Sequence, residues 1–275
     1  MNHAIRIHET GGPEKMVWEE VPLPSPKPGE ALVRHKAVGL NYIDVYFRTG
    51  LYKAPSMPAI IGMEASGIVE AIGEGVTEVK VGDRVAYATG PIGAYAEART
   101  IKADRLVKMP DAISFEQGAA MMLQGMTAAF LIKKCYAAKA GQTVLIHAAA
   151  GGVGLILSQW AKHLGCTVIG VVSTPEKAAL VKDHGVDHAL LTSDDIPARV
   201  KDITKGAMGT AVASETVTGT SQRNALLRAA DVAVVKTNGL GLKGFFTAKL
   251  AFIRDQGKVK EVCVADLFFG EAKQI

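Results

Sequence analysis

The sequence predicts a chain in two parts, a β-rich front of about 110 residues and an α/β unit built on a doubly wound parallel sheet. Three observations carry this reading. Short strand-like runs separated by turn residues fill residues 1–110; strand and helix patterns alternate from about residue 112; and AAGGVG (149–154) joins an apolar run to an amphipathic one.

In the front part, AIRIHE, EALVRHKAVGL, ASGIVEAIG and GDRVAYATG alternate with a period of two or carry β-branched runs. Pro24-Ser25-Pro26, Pro28-Gly29 and Gly82-Asp83 punctuate them as turns. Strands this short, at this spacing, imply a small closed or partly closed β-structure. Beyond it, SFEQGAAMMLQGMTAAFLIKKC has few turn residues and reads as helix, and TVLIHA (143–148) reads as a buried strand. After the glycines, Val153, Ile156, Leu157, Trp160, Ala161 and Leu164 form one apolar helical face that Gly165 ends. TVIGVVS, TPEKAALVKDHG, DHALLT and SDDIPARVKDITKG repeat strand and helix, the order of a parallel sheet.

Composition narrows the function classes. At 275 residues the chain suffices for one large domain or two ordinary ones, and 48% hydrophobic with 21% charged residues is globular. A net charge of +4, scattered along the chain, suits a small anionic ligand better than nucleic acid, which needs a basic stripe. Cys135, Cys166 and Cys263 are far apart and match no metal-ligand spacing, which places the chain in a reducing compartment, the cytoplasm. The N-terminus lacks a basic region followed by an apolar run, and no apolar run is long enough for a bilayer. Neither a secretory signal nor a membrane partner is expected.

Ala149-Ala150-Gly151-Gly152-Val153-Gly154 fits the dinucleotide fingerprint with Ala in place of its first Gly. Gly151 would let the backbone approach a pyrophosphate, Gly154 would let helix and strand pack closely, and the helix N-terminus would supply amide donors. A tight turn with no ligand is the competing explanation. An NAD site usually ends its next strand with an acid; here stand Ser173, Thr174 and then Lys177, which could reach a 2′-phosphate. Glu176 reads as the third residue of a capping box begun by Ser173. NADP(H) is therefore expected over NAD(H).

GLNYIDVYFRTGLY (39–52), IGMEASGIVEAIGEGVTEVKVGDRVAY (61–87) and HAAAGGVG (147–154) together resemble the quinone oxidoreductase (zeta-crystallin-like) family of zinc-free medium-chain dehydrogenase/reductases, over about residues 1–205. The resemblance implies a GroES-like β-domain (1–124, with a return segment at 258–275) and a Rossmann NADP(H)-binding domain (125–257). It implies NADPH in the cleft between them and hydride transfer to quinones, with activated enals or enones as the alternative acceptors. Where the alcohol dehydrogenases of that superfamily carry zinc ligands stand Asn41 and Met63, so no metal is expected. On the substrate side the resemblance implies Asn41, Tyr46 and Tyr52; Glu64 matches as well, as a brace of the loop. On the cofactor side it implies Thr127, Gly151, Gly152, Val153, Gly154, Ser173, Lys177 and Asn238. The plainer alternative is that Asn41 fixes a turn, the tyrosines pack and Thr127 bonds its own helix.

The resemblance also has departures. Thr192 replaces a tyrosine that family members carry near the adenosine phosphate. Glu215-Thr216-Val217-Thr218-Gly219 stands where an Asp-x-x-Gly is usual. Between Gly241 and Gly257 the family has several dozen further residues, among them the strands of its homodimer, so the C-terminal part reads as shortened. DVAVVKTNG (231–239) would then be an unprotected sheet edge, unless 240–257 forms a helix that rebuilds the interface. A shortened chain of this kind also allows a nucleotide-binding protein with little turnover.

Overall fold

The computed structural model describes residues 1–206, 234–238, 246–254 and 258–267, the last three segments by their backbone. Glu215–Gly219 and the rest of 207–233 lie outside the described residues, as do 239–245, 255–257 and 268–275. The chain divides into two compact units, Met1–Leu123 and Gln124–Ile275.

In chain order the first unit runs β1 (Asn2–Ile7), β2 (Met16–Val21), β3 (Glu30–Gly39), α1 (Tyr42–Thr49), β4 (Ala59–Ile60), β5 (Glu64–Ile72), β6 (Arg84–Ala88), β7 (Ala98–Lys102) and β8 (Val107–Lys108). Every pairing among these strands is antiparallel. β1 lies between β2 and β4, and the larger sheet has the order β7-β3-β5-β6-β8. An isolated bridge between Ala4 and Ala96 links the chain around β1 to the approach to β7. The core is built from Val33, Ala65, Val69, Val85, Tyr87 and Ile101, with small alanines letting the strands approach. Tyr87 is fully buried, and its hydroxyl is satisfied by donating to His35 Nε2 at 2.9 Å. His35 Nδ1 in turn donates to the Ala96 carbonyl at 2.6 Å. Burial holds the His35 imidazole down to about 4 and pushes the Tyr87 phenol up to about 12.

α2 (Phe115–Ala129) spans the division between the units. It starts at a capping box, with Ser114 Oγ accepting from Gln117 N–H and Gln117 Oε1 accepting from Ser114 N–H. The single helix expected through Cys135 instead loosens into a π-helical turn over Phe130–Cys135, which buries Leu131 and Ile132.

The second unit continues with β9 (Thr143–His147), α3 (Gly152–His163), β10 (Thr167–Val172), α4 (Pro175–Asp183), β11 (His188–Leu191) and α5 (Ile196–Thr204). The three strands are parallel in the order β11-β10-β9. Their side chains alternate between two cores. Val144, Ile146, Val168 and Val172 pack with Val153, Leu157 and Ala161 of α3 and Val181 of α4. Leu145, Ile169, Val171 and Leu190 pack with Ile196 and Val200 of α5. Both faces of the sheet are therefore covered, which is what allows such continuous apolar strands. The α3 face is turned slightly from the one read off the sequence: Gly154 and Ser158 are buried beside Leu157, and Ile156, Trp160 and Leu164 lie half-buried at its rim.

β12 (Val234–Asn238), β13 (Phe246–Arg254) and β14 (Lys258–Leu267) form a separate antiparallel sheet in that order. The expected continuation of the parallel sheet is thus replaced, for a reason of length. Seven residues join β12 to β13 and three join β13 to β14, too few for the crossover that parallel pairing needs. The alternative of a helix over 240–257 gives way to β13, where FTAK alternates like a strand. β12 pairs with β13 on one side and forms one edge of its sheet.

Candidate functional site

In the first unit, the residues implied on the substrate side gather at the start and end of α1. Asn41 is its N-cap, with extended backbone, and its N–H donates to Asp44 Oδ2 at 2.9 Å. The same carboxylate oxygen accepts from the Tyr95 hydroxyl at 2.9 Å. Asp44 is only 2% exposed, so desolvation raises its carboxyl pKa and the two bonds oppose that rise. Its other oxygen, Oδ1, is buried without a partner.

Asn41 is itself 7% exposed and its side-chain Nδ2 donates to Glu64 Oε2 at 2.7 Å. Glu64, the first residue of β5 and 1% exposed, accepts at Oε1 from the Leu123 amide at 2.8 Å. Burial raises the Glu64 pKa; the bonds from Asn41, Leu123 and Met122 pull it back. Gly39, at the end of β3, makes the convergence possible. A methyl there would sit 2.6 Å from Glu64 Oε2 and collide with the Ala119 carbonyl.

Tyr46 and Tyr52 meet edge to face, with ring centroids 5.2 Å apart, and the Tyr52 amide donates to the Tyr46 carbonyl at 3.0 Å. The exposed Tyr42 packs on Tyr46 in the same manner, and Phe47 packs on Tyr52. The result is a continuous aromatic series from an exposed ring to a buried one, and burial raises the Tyr52 phenol.

In the second unit the glycine turn is built as a strand-to-helix corner. β9 ends at His147, Ala148 takes a left-handed conformation at φ 51°, and Gly151 caps α3 with extended backbone. Gly151 N–H donates to the Ala148 carbonyl at 2.8 Å. Gly152, Val153 and Gly154 make the first turn of α3, where helical geometry gives their amides no carbonyl within the helix. At Gly154 a methyl would collide with the carbonyls of Ala148 and Ala149, so this glycine allows the helix to approach the strand. At Gly151 a methyl would meet only the Ala148 carbonyl, at 3.2 Å, leaving open space beside the turn. A close-packed Gly154 beneath an open Gly151 fits a phosphate cradle.

At the end of β10, Lys177 Nζ donates to Ser173 Oγ at 3.2 Å, so these two exposed residues are brought together. The capping arrangement differs from expectation. Thr174, not Ser173, is the N-cap of α4: its hydroxyl accepts from Lys177 N–H and Pro175 holds the first helical position. Ser173 is thereby left outside the cap and available to Lys177. Thr192 follows β11 and its N–H donates to the Val172 carbonyl at 2.8 Å, beside the same strand end. Thr127 lies near the end of α2, half-buried. Asn238 is the last residue of β12, in the antiparallel sheet; its side chain lies outside the described residues. Sequence reasoning missed Asp44 and Tyr95. An acid three residues after an Asn cap was a readable signal for the first; nothing local announces the second.

An antiparallel β-unit followed by a βαβαβ unit with a glycine corner is the architecture of the two-domain nucleotide-dependent dehydrogenases. Residues 27–111 match the family model of the alcohol dehydrogenase GroES-like domain, and residues 152–272 match that of the zinc-binding dehydrogenases. A quinone oxidoreductase of Pseudomonas aeruginosa is 48% identical over 207 residues, covering 75% of this chain and 64% of the relative. A 2-haloacrylate reductase of a Burkholderia species is 43% identical over 209 residues, covering 74% of this chain and 63% of the relative. Among solved structures, a Pseudomonas syringae quinone oxidoreductase superimposes with a TM-score of 0.81 at 42% identity, covering 88% of this chain and 77% of that one. The Escherichia coli quinone oxidoreductase complexed with NADPH gives 0.76 at 38% identity, covering 90% and 83%. The chain belongs to the quinone oxidoreductase family of medium-chain dehydrogenase/reductases, with a GroES-like domain and a Rossmann domain. It spans 64% of the length of the Pseudomonas aeruginosa relative.

Among the described residues, no group of three His, Cys, Asp or Glu side chains is placed to hold a metal ion. No helix among them is long and apolar enough to cross a membrane.

Proposed function

We propose that this chain binds NADPH and transfers its hydride to a quinone without a metal ion. The observation that carries the reading is the corner at Ala148–Gly154, closed at Gly154 and open at Gly151, in a chain whose relative of known structure was solved with NADPH. The amides of Gly152, Val153 and Gly154 hold the pyrophosphate, aided by the positive end of α3. Lys177 and Ser173 hold the 2′-phosphate, and neither Ser173 nor Thr174 carries a charge to repel it. Thr127 and Asn238 complete the cofactor side.

Bound NADPH supplies the hydride. Asn41 donates a hydrogen bond to a quinone carbonyl and stabilises the negative charge that grows on its oxygen. Tyr46 and Tyr52 pack against the flat ring and exclude water from it. A quinone is already a strong electrophile, and its reduced oxygens take protons from water, so no Lewis acid is needed; an alcohol would need one. Asn41 and Met63 in place of the zinc ligands of the resemblance agree with this chemistry.

The relative named 2-haloacrylate reductase favours a second reading, in which an activated alkene is the acceptor. Steady-state loss of NADPH absorbance across a panel of benzoquinones and enals decides between them: quinones turn over faster on the first reading. NADPH binding without turnover of either leaves a nucleotide-binding protein.

Three cysteines, far apart and matching no metal-ligand spacing, suit a reducing compartment, the cytoplasm. The stretch between Gly241 and Gly257 is several dozen residues shorter than the resemblance implies. We propose that the chain does not form the family's regular dimer, which light scattering after gel filtration tests directly.

A further inference from the structure

Glu64 holds the side-chain amide of Asn41, the group assigned above to the substrate carbonyl. An asparagine amide has nearly the same shape with its oxygen and nitrogen exchanged, so packing cannot choose between the two orientations. The polarity of its neighbours chooses. Here both Glu64 oxygens accept from N–H groups, Oε1 from Leu123 at 2.8 Å and Oε2 from Asn41 at 2.7 Å. That is the pattern of an ionised carboxylate, which can only accept.

The carboxylate also has nowhere to turn. Gly39 and the Ala119 carbonyl crowd it on one side, and the Leu123 amide fixes its other oxygen. The Asn41 backbone is held independently by Asp44 Oδ2 at 2.9 Å. With its main chain and one Nδ2 hydrogen both committed, Asn41 has one Nδ2–H left to donate, in a direction it cannot choose.

Building on the proposed quinone reduction, we propose that Glu64 is a positioning residue. Its buried carboxylate fixes the Asn41 amide so that the second Nδ2–H is the donor presented to the substrate carbonyl. The orientation so fixed favours the developing oxyanion over the neutral carbonyl.

The test is Glu64→Gln, alone and combined with Asn41→Ala. Leu123 N–H still needs an acceptor, so the substituted side chain keeps its oxygen there and turns its amino group to Asn41. Asn41 must then turn its own oxygen inward, and the donor moves to the other corner of the amide. The expected result is a fall of about tenfold in kcat/KM for benzoquinone, mostly in kcat. NADPH affinity and the melting temperature stay near those of the wild type. On the Asn41→Ala background the same substitution changes kcat/KM less than about twofold, because there is no amide left to orient. Equal losses on both backgrounds, or no loss on the first, overturn the proposal while leaving quinone reduction standing. If the wild type reduces no quinone, or Glu64→Gln does not fold, 15N-labelled wild type still answers. The Asn41 side-chain amide then shows one slowly exchanging proton, held by Glu64, and loses that protection as Glu64 is protonated at low pH. Two freely exchanging Asn41 protons at neutral pH overturn it.

Discussion

Adding one methyl group at two positions of the same turn separates packing from ligand binding. At Gly154 the new carbon would lie against the carbonyls of Ala148 and Ala149 and the Ala149 Cα, all main-chain atoms that cannot swing aside. Helix α3 must shift away from β9, and overpacking of this kind costs about 1–3 kcal/mol, of which the better helix propensity of alanine returns at most about 1. For a unit of this size a net loss near 2 kcal/mol lowers the melting temperature by about 4–8 °C. At Gly151 the methyl meets only the Ala148 carbonyl, at 3.2 Å, and the backbone angles, φ −78° and ψ 169°, are ones alanine adopts freely. Gly151→Ala should therefore melt within about 0.5 kcal/mol of the wild type. A pyrophosphate resting against Gly151 would meet that methyl, and NADPH affinity should fall at least tenfold, about 1.4 kcal/mol. Melting curves and NADPH titrations of the two variants make the assay. If Gly151→Ala keeps full NADPH affinity, or loses stability instead, the open face of the turn is not a phosphate cradle.

Three other outcomes follow from the same structure. Lys177→Glu should weaken NADPH by about 10- to 150-fold, at the lower end because Thr192 adds no aromatic contact, and leave NADH nearly untouched; equal losses in fluorescence titrations with both cofactors would give Lys177 a packing role. His35, depressed by burial from 6.5 to about 4, binds its proton more weakly folded than unfolded, so its contribution is complete above pH 6.5 and is lost as pH falls towards 4. That shift corresponds to about 3 kcal/mol, discounted to about 2 for partial exposure; amide exchange in β3 at about pH 7.5 and 4.5 should show the wild type losing that much more stability than His35→Gln. Dialysis against a strong chelator should leave both melting temperature and turnover unchanged, and a stoichiometric zinc in the purified protein would contradict the metal-free reading.

What the sequence discloses is what short-range physics determines. β9 and α3 were legible because an apolar run, a glycine turn and a helical apolar face stand in succession, and Gly165 ends the helix with a φ of 82° that suits glycine. The cap of α4 was legible in principle: Pro175 prefers the first helical position, which makes Thr174 the cap and frees Ser173 for Lys177. Ala148 gave no sign of its left-handed conformation, because alanine has no preference for it. The buried group around Asn41 was only partly legible. Asp44 lies within the same turn, but Glu64 is 23 residues away and Tyr95 is 51 from Asp44, contacts that only the folded sheet makes. The antiparallel β12–β14 sheet was concealed by a different habit, that of extending a βα pattern past the point where the connections become too short to sustain it.

If one chain holds NADPH on its glycine corner and passes hydride to a quinone, a single mixing experiment shows both steps. Protein is first titrated with NADPH to saturation, read by the change in nucleotide fluorescence, and 1,4-benzoquinone is then added while absorbance is followed. Saturable binding near one equivalent, lost in Gly151→Ala, is expected, followed by rapid protein-dependent loss of NADPH absorbance. Saturable binding with no loss beyond the protein-free rate would contradict it.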